Sequence, residues 1–245
     1  MPNDELDQEL QWLEQQAAEL HIPLQPVHLD QFRHLLLALA SWNERMNLTA
    51  IRTWPEMVEK HILDSMLFLA HTRWPQGRRV CDLGTGAGFP GLVLAILFQE
   101  AEFFLLDGTR KKLQFVDQMI RELELHNCRT LHGRAEEIAR HADFRETFSI
   151  VVSRAMAAMP FLVETSMPLL SLGGFLIAWK GPNYAEELPR HPDAWKRLGA
   201  GKVDIYCGTL PRRQEARTWI VVEKVAPTPP HYPRALSKMK KAPIL

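Results

Sequence analysis

The spacing of apolar positions divides the chain into a helical front and an alternating middle. From Glu5 to Leu20 the residues follow the period of a polar amphipathic helix, which stops at the turn between Pro23 and Pro26. A second helix is expected over about Leu29 to Met46, where Phe32, Leu35, Leu36, Leu39 and Met46 share one core-facing stripe. A third is expected from Glu56 to Leu69. The period then changes. Short apolar runs, Val80 to Leu83, Glu102 to Leu106, Cys128 to Leu131, Phe148 to Val152 and Phe175 to Trp179, alternate with helical stretches at Leu92 to Phe98, Arg110 to Leu125 and Met159 to Leu170. Such alternation builds a parallel sheet with helices on both faces. Two further strands, Val203 to Cys207 and Thr218 to Val222, read as an antiparallel hairpin joined through the basic Pro211-Arg212-Arg213 segment. From Pro227 the chain is Pro-rich and basic, the composition of a loosely ordered tail.

The first strand runs into Asp82-Leu83-Gly84-Thr85-Gly86-Ala87-Gly88-Phe89-Pro90-Gly91. Glycines at this place let the chain turn tightly and bring backbone close to a ligand. Gly86, Gly88 and Gly91 match G-x-G-x-x-G, so a dinucleotide is one candidate. Asp82 points elsewhere. A carboxylate at the strand end repels a diphosphate and suits a cation, and S-adenosylmethionine carries a sulfonium and an ammonium; the alternative role for Asp82 is a loop cap. Asp107 closes the second strand 19 residues after Gly88, where an acidic side chain accepts hydrogen bonds from the ribose diol common to both ligands. Thr109 is placed to cap the next helix. After the third strand, Gly133-Arg134-Ala135-Glu136-Glu137 offers an amide and a carboxylate to an adenine edge, although Glu136 also suits an ordinary helix start. Arg154 and Lys180 close the fourth and fifth strands, the sheet end at which ligands bind. His61 and Asp64 are spaced i, i+3 and so within reach of one another. The stretch Trp42 to Thr49 is dense in stacking and hydrogen-bonding side chains that either border a substrate or make a turn.

At 245 residues, 46% apolar and 24% charged, the chain has material for one α/β domain with an added helical segment. We expect a helical extension over residues 1–72, a ligand-binding domain over 73–226 and a tail over 227–245. No apolar run approaches the roughly 20 residues of a membrane span, and the acidic first helix lacks the basic-then-apolar order of a signal sequence, so a cytoplasmic location is expected. Cys81, Cys128 and Cys207 are too scattered for a disulfide framework or a metal site and read as reduced core thiols. Formal net charge is zero, but residues 1–20 hold six carboxylates and no Lys or Arg, whereas 231–245 hold Arg234, Lys238, Lys240 and Lys241 and no carboxylate. Basic groups also occur at Arg78 and Arg79, at Arg110 to Lys112, and at Arg212, Arg213 and Arg217. A basic face for phosphates is compatible with that distribution, as is plain solvated surface.

Several separate motifs then resemble one family. Trp42-Asn43 with Asn47-Leu48-Thr49, His61-Ile62-Leu63-Asp64-Ser65, the Asp82 to Gly91 loop, Ser153-Arg154-Ala155, Lys180-Gly181 and Tyr232-Pro233-Arg234 look like the small-subunit ribosomal RNA methyltransferase G family, also called glucose-inhibited division protein B. The likeness spans roughly residues 28 to 234. It implies a Rossmann-like S-adenosylmethionine-dependent methyltransferase fold, a seven-stranded mostly parallel sheet with an N-terminal helical extension. The activity implied is methyl transfer to N7 of one guanine in 16S rRNA, within the small ribosomal subunit or its assembly intermediate. Cofactor contacts implied by the resemblance fall on Gly84, Phe89, Asp107, Gly108, Thr109, Arg110, Ala135, Glu136 and Arg154, with Asp82, Gly86 and Gly88 completing the loop. The tail departs from the family pattern, because Ala235-Leu236-Ser237-Lys238 replaces the usual glycine-containing stretch. Guanine N7 carries a lone pair and no proton, so attack on a methyl needs no general base, and catalysis is expected to be positioning. By placement, Arg154 and Lys180 are expected to fix RNA, and Asn47 and His61 to shape the base pocket. N7 lies on the Hoogsteen edge, so the target is an unpaired or remodelled guanine. Two rivals stand beside this reading. A nicotinamide-dependent oxidoreductase leaves Asp82 unexplained and lacks a separate substrate domain; a non-catalytic rRNA- or ribosome-binding module would bind without dependence on S-adenosylmethionine.

Overall fold

The computed structural model describes residues 2–71, 79–189, 191 and 193–244. The expected domain boundary at 72/73 and the basic Arg78 lie outside the described residues. Two helices open the chain, α1 (Pro2–Glu19) and α2 (Pro26–Asn43). The helix expected at Glu56 to Leu69 is a composite, α3 (Trp54–Met57), a π turn over Val58–Leu63, α4 (Asp64–Met66) and a 3-10 turn over Leu67–Ala70. The sheet elements follow as β1 (Arg79–Leu83), α5 (Gly91–Leu97), β2 (Glu102–Asp107), α6 (Arg110–Glu122), β3 (Cys128–His132), α7 (Ala135–Ile138), β4 (Phe148–Arg154), α8 (Met159–Ser166) and β5 (Leu170–Lys180). The hairpin β6 (Ala200–Leu210) and β7 (Glu215–Lys224) and a short α9 (Leu236–Lys241) end the fold.

The seven strands make one sheet in the order β3-β2-β1-β4-β5-β7-β6, with β1 to β5 mutually parallel and β7 antiparallel to both β5 and β6. After β1 the chain goes to one side for β2 and β3, then crosses to the other for β4 and β5. A crevice therefore opens at the carboxyl end of β1, which is where open α/β sheets bind ligands. Strand residues alternate between two buried layers. Phe103 and Leu105 join Leu6, Phe32, Leu36 and Ile62 on one face, while Phe104 and Leu106 join Phe148, Val163 and Leu176 on the other. Because α1 and α2 bury their apolar stripes in the first layer, the helical extension shares the core of the sheet.

Four expectations shift. The second helix begins at Pro26, since proline at the first helical position loses no hydrogen bond. The helix expected to reach Leu170 ends at Ser166, and β5 already begins at Leu170 and runs through Gly173-Gly174. That glycine pair absorbs a register shift against β4, from Phe148↔Leu170 to Ile150↔Phe175, with Gly173 at φ 77°. Cys207 lies exposed on the edge strand, unlike buried Cys81 and Cys128. The tail, expected to be loose, is strapped down. Arg145 donates to the carbonyls of Thr228 and Tyr232 at 2.8 and 2.9 Å, and Arg140 to that of Pro233 at 2.6 Å. Arg234 grips the buried Glu164 through Nε and Nη2 at 2.8 and 2.6 Å, and Trp195 donates to the carbonyl of Ile244 at 3.0 Å. Composition failed here because the partners of these carbonyls come from arginines far away in the sequence. No described helix is long and apolar enough to cross a membrane.

Glu164 is 1% exposed, so removing Arg234 strands a buried carboxylate. Urea unfolding of Arg234→Ala is expected to show a loss of about 3 kcal/mol, and the double variant Arg234→Ala/Glu164→Leu to recover part of it.

Candidate functional site

The glycine loop is clamped from below and from the side. Asp82 is fully buried, and its Oδ2 accepts hydrogen bonds from Thr85 Oγ1 at 2.6 Å and from Gly91 N at 2.8 Å, tying the loop to the first turn of α5. Its Oδ1 has no hydrogen-bond partner among the described residues. Burial pushes the Asp82 carboxyl up to about 6, against the pull of Thr85, Gly91 and the Arg154 guanidinium. Its contacts are those of a loop cap, and it lines neither cavity described below. Asp107 holds the loop from β2, accepting from Gly86 N at 3.0 Å and from Thr109 N at 2.7 Å. Thr109 occupies the N-cap position of α6 without a side-chain cap bond, and its amide donates to the Asp107 carboxylate.

A cavity of about 380 Å³ opens beside this loop, lined by Gly84, Asp107, Gly108, Ala135 and Glu136. Leu106, Met156, Phe161 and Leu236 give it apolar walls, and Lys240 also borders it. Gly84 sits at φ 77°, and a Cβ there would lie 2.5 Å from Met156 Cγ, so glycine is what lets the loop and the Met156 side chain pack together. Of the cofactor positions expected from sequence, these five meet in one place. Gly86, Gly88, Thr109 and Arg110 do not line the cavity, and Phe89 is buried against His61.

A second cavity, of about 600 Å³, adjoins the first and shares Met156 and Ala157 with it. Its wall is built around Asp64. The π turn adds a residue to a helical turn and frees the Lys60 carbonyl, which accepts from Arg154 Nη1 at 2.9 Å. Asp64, its side chain 7% exposed, then takes Arg154 on Oδ2 at 3.2 Å and Arg217 on Oδ1 at 2.9 Å, while its carbonyl accepts from Trp179 Nε1 at 2.9 Å. Lys180 lines the same cavity with its ammonium bound by the Ala157 carbonyl at 2.6 Å and by Glu187 at 2.5 Å.

His61 also lines this cavity, stacked on Phe89 with ring centroids 4.5 Å apart. Its Nε2 lies 3.0 Å from Thr49 Oγ1. Burial first, and the neighbouring Arg154 second, push the imidazole down to about 3, so it is neutral near pH 7. Asn47, expected at the base pocket, is exposed and lines neither cavity. The buried amide of the motif is Asn43, whose Oδ1 accepts from Leu48 N and Thr49 N at 2.8 and 3.0 Å and so positions Thr49 under His61. Sequence reasoning missed Asn43, Met156, Phe161, Arg217 and Leu236 as parts of the site. Met156 and Arg217 had a signal, one directly after Ser153-Arg154-Ala155 and the other at the start of the hairpin's last strand; Leu236 had none.

A family model described as GidB, rRNA small subunit methyltransferase G, matches residues 28–215. A ribosomal RNA small subunit methyltransferase G of Desulfitobacterium hafniense is 42% identical over 226 residues, covering 92% of this chain and 93% of the relative. The chain belongs to the rRNA small subunit methyltransferase G family. A relative of the same name from Deinococcus deserti is 44% identical, over 89% of both chains. In fold, the chain is similar to a methyltransferase from Geobacter sulfurreducens, with a TM-score of 0.53 at 14% identity over 79% of this chain and 89% of that one. The first cavity fits the cofactor expected of a methyltransferase G family member. The carboxylates of Asp107 and Glu136 complement hydroxyl donors, and Leu106, Met156 and Phe161 provide the apolar faces a nucleobase needs. Among the described residues no group of three His, Cys, Asp or Glu is placed to hold a metal ion.

The depressed His61 fixes the sign of a pH effect. Its stabilising contribution is complete above the unfolded value of 6.5 and is lost as pH falls toward about 3. Between pH 8 and pH 5, the wild type is expected to lose about 2 kcal/mol more unfolding free energy than His61→Gln, measured by urea titration.

Proposed function

We propose that the protein transfers the methyl group of S-adenosylmethionine to N7 of a guanine in 16S rRNA of the small ribosomal subunit. The observation that carries the reading is the pair of adjoining cavities with Met156 and Ala157 as their common border. One, at the switch point of the sheet, combines apolar walls with Asp107, Glu136, Arg134 and Lys240; the other is lined by Lys60, Arg154, Lys180 and Arg217 with Asp64 and Glu187 between them. S-adenosylmethionine held in the first cavity supplies an electrophilic methyl group on its sulfonium. Asp107 and Glu136 would hold its ribose, and the border at Met156 and Ala157 is where the ligands of the two cavities would meet.

The chain's own contribution is placement. Guanine N7 brings its own lone pair, so no side chain has to remove a proton, and His61 serves as a neutral ring kept in one orientation by Thr49 and Phe89. Arg154 and Arg217 are held by Asp64 before any substrate arrives, so their donors meet phosphate or base without reorganisation. Lys180 acts on the border itself, since its ammonium fixes the Ala157 carbonyl. Family membership supports an rRNA substrate and does not favour a nicotinamide oxidoreductase. A ribosomal substrate supports a cytoplasmic location for the reaction.

The test is transfer of labelled methyl from S-adenosylmethionine to small subunits or 16S rRNA from a strain lacking the modification, with the product mapped by cleavage at N7-methylguanine. Label at one guanine N7 is expected. With Arg154→Ala, kcat is expected to fall about 100-fold while cofactor binding persists. Binding of rRNA with no transfer under any assembly state would leave the non-catalytic module as the better reading.

A further inference from the structure

The strapped tail contributes to a site that the glycine loop and strand ends alone leave open on one side. Arg234, locked to buried Glu164, sets the start of α9, and the bond from Trp195 to the Ile244 carbonyl sets its far end. Between these anchors Met239 is 3% exposed and faces inward toward α8, bordering a neighbouring cavity with Pro160 and Phe161. Leu236 and Lys240, spaced i, i+4 and hence on one helical face, border the 380 Å³ cavity, and Lys240 borders the neighbouring one as well. Phe161 also belongs to both cavities, so α9 and α8 together contribute apolar lining to a cavity that holds Asp107 and Glu136.

We infer that Leu236, backed by the aliphatic stem of Lys240, packs against the purine of the cofactor and makes α9 a nucleobase-positioning element of this chain. The inference rests on the first cavity being the S-adenosylmethionine site. Its physical basis is a division of labour within the lining. Carboxylates suit a ribose diol, and a purine has no comparable use for them. It is bound by burial of its faces, and Leu236 with Met156 and Phe161 supplies that burial. Leu236 is half-buried and Lys240 exposed, which leaves both with surface to give to a ligand. A lysine in such a place covers apolar area with its methylenes while the ammonium stays in water.

The experiment is isothermal titration of the full chain with S-adenosylhomocysteine, which carries the same adenosine. Leu236→Ala is expected to weaken binding about tenfold, the effect of removing an apolar contact from a pocket. Lys240→Ala, a change at an exposed position that folding does not depend on, is expected to weaken it about threefold. Ser237→Ala, exposed on the same helix, is the control and is expected to bind as wild type. In parallel, the unfolding temperature without ligand should stay unchanged in Lys240→Ala, while the rise on adding S-adenosylhomocysteine shrinks. Wild-type affinity in both Leu236→Ala and Lys240→Ala would overturn the role of α9 and leave the cofactor site standing. Failure of the wild-type chain itself to bind S-adenosylhomocysteine would instead overturn the assignment of the cavity, and the role of α9 with it.

Discussion

The site depends on one carboxylate placed where no water reaches it. Asp82 Oδ2 receives the Thr85 hydroxyl from the loop and the Gly91 amide from the start of α5, and so decides where a turn with three positive-φ glycines comes to rest. Burying a charge alone is costly, and the two short bonds offset that cost only in this loop conformation. Asp107 then needs to supply just two more bonds, to Gly86 and Thr109, to align β2 and α6 with it. With the loop fixed, Gly84 packs against the Met156 side chain with no room for a Cβ, and both residues line the first cavity.

The second cavity uses the opposite logic. There a carboxylate organises cations. Asp64 accepts Arg154 from β4 and Arg217 from β7, joining three elements that are distant in sequence. The π turn matters because it alters the carbonyl pattern of the helix and lets Lys60 offer its oxygen to the same guanidinium. A regular α-helix would keep that oxygen for its own amide four residues on.

Much of this was legible from the chain itself. Strand placement and the switch point after β1 follow from periodicity, and Asp107 and Glu136 from their places after strand ends; that Gly84, Gly108 and Ala135 belong with them was implied by the family resemblance. What was not legible depends on contacts between remote segments. Both asparagines of the Trp42 to Thr49 stretch carry the same side chain, and only the fold shows that Asn43 points inward and Asn47 outward. Asp82 reads as a ligand group by position, yet its depth below the loop is a property of packing. The tail's polar, proline-rich composition hides the arginines that fasten it, because those sit between β3 and β4.

The neutral imidazole of His61 has an effect on the field of the whole cavity. The cationic groups around it are arginines and lysines, and the imidazole, a ring that ordinarily changes charge near neutral pH, is silenced by burial. Near neutral pH the pull of this cavity on a polyanion therefore does not depend on that ring. Ionic strength, through the counterions a bound nucleic acid must release, becomes the solution variable that governs how firmly this surface holds its substrate.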